Sequence, residues 1–246
     1  MDALALLRLQ TEWGADEALE EAPLDRLRPP ARVRPAARPA VAPAAPPPPA
    51  ITADGAETLA ALRDAIAAFG GCALRDTATN LVFADGNPDA GLLFVGDAPT
   101  AAEDRSGRAF DGPAGAYLER MLASIGLGRD TALFTPLIPW RPPGGRPPSA
   151  AEIAACLPFV HRLIVLTAPR RLVLLGGLSQ RAILGAAPRK RTGDWRAATI
   201  RGLPNPLPAL AMPSPDLLLT KPEGRRDAWA DLRFLRRSID AGLAES

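Results

Sequence analysis

Asp97 stands just past an apolar run, Leu92 to Val95, in the stretch Gly96-Asp97-Ala98-Pro99. A strand that ends in small residues and one carboxylate builds a pocket floor at the carboxyl edge of a sheet, where α/β proteins bind ligands. A charged turn follows, then a lone aromatic at Phe110 and a fresh helix start at Pro113. Further on, Arg141-Pro142-Pro143-Gly144-Gly145-Arg146-Pro147-Pro148 is a stiff loop with two cations and no acid of its own. It suits either phosphate contact, which rests on Lys and Arg and needs no sequence code, or a solvated turn. Arg189-Lys190-Arg191 is a second basic cluster, in a loop expected to border the same cleft. The single histidine, His161, falls mid-helix and reads as a surface or packing residue.

These residues need a scaffold, and the hydrophobic pattern supplies one. A helix is expected over about 56–69, a turn at Asp85-Gly86-Asn87-Pro88, a strand at 91–96, and a helix from Pro113 with Leu118, Met121, Leu122 and Ile125 on one face. A strand at 132–138 comes next. Ser149-x-x-Glu152 is a capping box that opens a helix striped by Ile153, Cys156, Leu157, Val160 and Ile164. Strand 171–176, helix 178–185, a Gly/Pro-rich stretch, strand 207–212 and a last helix over about 222–241 complete the chain. In that last helix Trp229, Leu232, Leu235 and Ile239 are expected inward, and Arg225, Arg226, Arg233, Arg236 and Arg237 on a solvated face. Such alternation predicts an α/β fold: a three-layer sandwich around a central, mostly parallel sheet.

Ahead of this domain, placed at 56–246, residues 1–22 predict a short helix and 23–55 a Pro/Ala/Arg-rich linker. Charge divides the same way: −5 over residues 1–22, +4 over 23–50 and +3 over the remainder. Nucleic-acid binding is permitted by that balance, not demanded. The linker is too rich in proline to form a core and reads as an extended tether or a basic arm. Together with the helix it offers a protein partner a docking segment. Only Cys72 and Cys156 are present, too few for a disulfide framework, so a reduced cytoplasmic setting is expected. Asp2 and Glu12 flank the first leucines without a basic leader, and no apolar run approaches the ~18 residues of a membrane span.

Several blocks, in order, give the chain a resemblance to the iron–sulfur-type (family 4) uracil-DNA glycosylases over roughly residues 66–240. They are Asp85-Gly86-Asn87-Pro88, Gly96-x-Ala98-Pro99, Glu103-Asp104-Arg105-x-Gly107-Arg108-x-Phe110 and Gly112-x-x-Gly115. Trp140-Arg141-Pro142-Pro143-Gly144, Arg146-x-Pro148, Glu152-Ile153 with Cys156, and Arg226-x-Ala228-Trp229-x-Asp231-Leu232 follow. The resemblance implies an enzyme that flips a nucleotide out of DNA and hydrolyses the N-glycosidic bond of uracil or a related deaminated base. By the same resemblance Asp97 serves as the acidic residue near water and sugar, and Phe110 stacks on the base. Gly96, Ala98 and Pro99 shape the loop, and Arg141 and Arg146 hold DNA; Arg189, Lys190 and Arg191 are expected to add DNA contacts on their charge.

The departures are equally specific. The family's loop glutamate is Asp97, shorter by one methylene, and its next glycine is Thr100. The asparagine that reads the base edge is Pro136, which offers only a carbonyl acceptor. The histidine that donates to the departing base is Ser214, a shorter and neutral donor. Of four cluster-ligand positions only Cys72 and Cys156 keep a thiol, while Phe69 and Trp140 occupy the others. A four-iron cluster needs about four thiolates. No cluster is therefore expected, and the four residues should meet as one packed patch. Weak turnover, or a catalytically inactive module that binds DNA or a protein partner, is the alternative to an efficient glycosylase.

Overall fold

The computed structural model describes residues 53–185 and 193–244. The expected helix at 1–22, nearly all of the linker, and the Arg189-Lys190-Arg191 cluster lie outside the described residues. Six strands form one sheet: β1 (Asp85–Gly86), β2 (Leu92–Gly96), β3 (Leu133–Pro136), β4 (Arg171–Leu175), β5 (Trp195–Ala198) and β6 (Leu207–Met212). Their order is β1-β3-β2-β4-β6-β5. The central four run parallel, and β1 and β5 close the edges antiparallel. Seven α-helices cover it among the described residues. They are α1 (Leu59–Ala68), α2 (Ala101–Ser106), α3 (Pro113–Ala123), α4 (Ala150–Thr167), α5 (Gly177–Leu184), α6 (Pro215–Thr220) and α7 (Arg225–Ala244).

Strand alternation assigns the two faces, since successive side chains point to opposite sides. Leu93, Val95, Leu172 and Leu174 pack in one cluster with Leu62 and Ile66 of α1 and with Cys156, Val160 and Ile164 of α4. Leu92, Phe94, Val173 and Leu175 pack in the other with Leu118 and Leu122 of α3 and Leu232 and Leu235 of α7. Both faces of β2 are buried along its whole length, the pattern of a central parallel strand. α4 has the length and hydropathy to cross a membrane, yet its Cys156, Phe159, Val160, Leu163 and Ile164 are buried in the core.

Four expectations need correction. Ala53 and Ala56 are buried in the core, so the packed unit starts inside the stretch read as linker. The charged turn after Pro99 is a helix, α2, whose six residues carry no apolar stripe. The Gly/Pro-rich stretch before β6 contains edge strand β5. Trp229 is 42% exposed; the buried line of α7 runs through Ala228, Asp231, Leu232 and Leu235, and 100° of helical rotation carries position 229 off it.

Candidate active site

Because the parallel strands end together, the loops that leave them converge. Gly96 ends β2, Pro136 ends β3 and Leu175 ends β4, and Ser214 lies two residues past the end of β6. All four line one cavity of about 260 Å³, with Asp97, Ala98, Phe110, Asp111 and Asp216 around it. The size is near the lower limit for ligand sites, roughly 300–1,000 Å³, and suits a single heterocycle rather than a whole nucleotide.

Asp97 is anchored rather than free. The amides of Leu178 and Ser179, at the start of α5, donate to its Oδ1 at 3.1 and 2.8 Å. A side chain at Gly176 would collide with the carboxylate, so glycine there, at φ 113°, makes room for it. Burial pushes Asp97 above the usual carboxylate range, and the two amides and Arg181 pull it back. Helix N-termini favour negative charge for the same reason.

Phe110 is positioned by a residue that sequence reasoning passed over as part of a motif. Thr100 and Glu103 form a capping box at the start of α2. The Thr100 amide donates to Glu103 Oε2 at 2.7 Å, and the Phe110 amide donates to Glu103 Oε1 at 2.6 Å. One buried carboxylate thus ties both ends of the loop and holds Phe110 at φ 55°, a left-handed conformation uncommon outside glycine. The Phe110 ring stands edge-on to Phe134 at 5.8 Å and fills the space that a side chain at Gly96 would take. Arg129 donates to the carbonyls of Ala109 and Phe110 at 3.0 and 3.2 Å, and pairs with Asp85 and Glu119.

The remaining wall is short of donors. Pro136 has no amide hydrogen. The Ser214 hydroxyl accepts the Leu217 amide at 3.3 Å as the cap of α6, leaving its proton to give. No Asn or Gln side chain is among the described residues that line the cavity. Asp111 and Asp216 were not anticipated. Asp111 is held below the usual range by the Ser106 hydroxyl and the Gly112 amide. Asp216 is raised by burial and by Asp97. Among the described residues no Lys, Arg or His lines the cavity.

A second depression of about 500 Å³ shares Asp97 and Ala98 with the first and contains Pro99, Arg141, Arg146 and Arg181. Pro99 therefore belongs to this groove, not to the cavity. Arg146 is not free: its guanidinium grips Glu152 at 2.6 and 2.9 Å, and that pairing holds the Glu152 carboxyl down to about 2. The acid missing from the loop comes from α4. His161 accepts the Arg201 amide at 2.9 Å on its Nδ1, a packing role as expected.

Of the four cluster-ligand positions, the two cysteines meet. Cys72, Cys156 and Trp140 are buried in one apolar cluster, with Phe69 packed against it. The two Sγ atoms lie 4.0 Å apart, and burial pushes the Cys156 thiol up. Two thiols with an indole and a phenyl ring in the other places do not fit a four-cysteine cluster.

Comparison with known proteins agrees with this geometry. The family model described as the Uracil DNA glycosylase superfamily matches residues 83–233. A Type-4 uracil-DNA glycosylase of Pyrobaculum aerophilum is 35% identical over 133 residues, which span 53% of this chain and 68% of that protein. Those of Sulfurisphaera tokodaii and Archaeoglobus fulgidus are 38% and 41% identical, over 52% and 43% of this chain and 58% and 53% of theirs. The chain thus spans between about half and two thirds of the length of these relatives.

Proposed function

This chain belongs to the uracil DNA glycosylase superfamily, and from that premise we propose that it hydrolyses the N-glycosidic bond of uracil, or of a related deaminated base, in DNA. The observation that carries the reading is the base-sized cavity at the carboxyl edge of the sheet, with Asp97 and the Phe110 ring on its wall. A flipped nucleotide places its base against Phe110. Asp97 faces the sugar, orients water and opposes the positive charge that develops at C1′. Ser214 gives its hydroxyl proton as a hydrogen bond to the departing base. DNA lies along the neighbouring groove, where Arg141 and Arg181 meet phosphates; Arg189-Lys190-Arg191, outside the described residues, is proposed as a further phosphate contact. The domain is proposed to run from Ala53 onward, and residues 1–52 are left to a partner or to the DNA flank.

Turnover is slow in this reading. Pro136 cannot donate to a base carbonyl, and an oxyanion-type donor is commonly worth a factor of about 10²–10³. The test is a duplex with one uracil, scored by alkali cleavage at the abasic site. Product that disappears with Asp97→Ala supports the enzyme. DNA affinity without any abasic product identifies instead an inactive module that keeps the fold and the groove.

A further inference from the structure

The wall of the cavity carries a charge pattern that uracil does not match. Asp97, Asp111 and Asp216 line it together with Glu103, and among the described residues no basic side chain does. Both Glu103 oxygens are taken by amides, and Asp97 Oδ1 by two more. Asp111 keeps its negative charge, held below the usual carboxylate range by the Ser106 hydroxyl and the Gly112 amide, and Asp216 has another carboxylate, Asp97, beside it. Uracil departs as an anion, and like charges within a few ångströms raise the cost of its departure. At position 136, where a donor would ease that cost, there is a proline.

A base that carries a fixed positive charge reverses the balance. It is drawn to the carboxylates and to the face of the Phe110 ring. When its glycosidic bond breaks, the electron pair returns to the ring nitrogen and the base leaves neutral, so no donor to an anion is required. We propose that the cavity accepts a purine made cationic by N-alkylation, an N7- or N3-alkylated deoxynucleotide, and releases it from DNA. In that step the bond between C1′ and N9 breaks and N9 keeps the pair, which cancels the ring's charge. Water adds its oxygen to C1′ and loses a proton to a cavity carboxylate and then to solvent. The products are a neutral alkylpurine and an abasic site. Asp111 and Asp216 act on binding, since they face the cation before the bond breaks. Asp97 acts on the chemical step, since the positive charge moves from the base to the sugar beside it. The proposal rests on the glycosylase reading of the same site.

The full chain is incubated with duplexes that carry one 7-methylguanine, one 3-methyladenine or one uracil at the same position. Released base is measured by mass spectrometry against an enzyme-free control. Methylpurine release with kcat/KM about 10-fold above that for uracil is expected, on the scale of one uncompensated charge contact. Asp216→Asn, and separately Asp111→Asn, should raise KM for the methylpurines about 10-fold and raise kcat/KM for uracil, while Asp97→Asn lowers kcat for the methylpurines about 100-fold. Uracil release with methylpurines at background overturns this proposal and leaves the glycosylase reading standing. Release of neither base overturns both. Asp216→Asn and Asp111→Asn variants that move both substrates in the same direction overturn the electrostatic assignment even if methylpurines are released.

Discussion

Replacing Glu103 by Gln tests whether one carboxylate sets the geometry of the Phe110 wall. In the native loop its two oxygens accept the Thr100 and Phe110 amides at 2.7 and 2.6 Å, inside a site where the residue is 7% exposed. Glutamine offers one oxygen and one NH2 group, so one amide keeps its partner and the other faces a donor. A buried hydrogen bond to a charged acceptor contributes about 1.5–3 kcal/mol. Against that loss stands a gain, because burial already pushes the Glu103 carboxyl up and the neutral side chain escapes that penalty. The net destabilisation is about 2 kcal/mol, which corresponds to about 4–8 °C in Tm for a domain of this size. Scanning calorimetry at pH 7 reads it. The same variant should lose about 10-fold or more in glycosylase kcat with DNA affinity retained, because a wall residue displaced by about 1 Å misaligns the base. A Tm within 1 °C of the parent, or full kcat, refutes the argument that Glu103 positions Phe110.

Asp231 is buried against α7's neighbours, accepts the Gly193 amide at 2.7 Å, and is pushed up to about 6 by burial. Between the unfolded value near 3.9 and about 6 the folded chain binds that proton more tightly, so stability falls as pH rises through this window. Asp231→Asn should flatten the fall and raise stability at pH 7 by about 1–3 kcal/mol, read by urea titration at pH 4, 5, 6 and 7. Gly96→Ala drives a methyl into the Phe110 ring and should cost about 1–3 kcal/mol by overpacking; calorimetry measures it. Arg141→Ala should reduce the slope of log K against log salt by about 1, more than Arg146→Ala, whose guanidinium is already engaged by Glu152; fluorescence anisotropy with labelled duplex separates the two. Protein purified without oxygen should carry fewer than about one iron per chain by elemental analysis, since an intact cluster needs about four thiolates.

Much of the scaffold is readable from pattern alone. The capping box at Ser149 and Glu152 forms with both of its reciprocal bonds, and β6 occupies residues 207–212 as expected. Runs such as Leu92 to Val95 are apolar throughout because both faces are covered, and that condition is local enough to see. α2 was not visible. Its Asp104 is buried by accepting the Thr79 and Asn80 amides at 2.8 and 3.3 Å, partners two dozen residues away that no helical period reports. β5 was hidden in the same way, since its residues pair only with β6 and show little pattern of their own.

The amino-acid sequence by itself determined which residues gather at the carboxyl edge. Parallel strands bring their following loops together wherever the loops lead, so Gly96, Asp97, Phe110, Pro136 and Ser214 meet in one cavity. It also determined which donors are absent, because a proline has no amide hydrogen in any fold. Tertiary structure alone decided what each charge is free to do. It pinned Asp97 to the start of α5 and spent Glu103 on two amides. Arg146 was given to Glu152, and Asp111 and Asp216 were turned into the cavity. Those pairings join residues far apart in the chain as well as near neighbours, and electrostatic interaction depends on distance in space rather than in sequence.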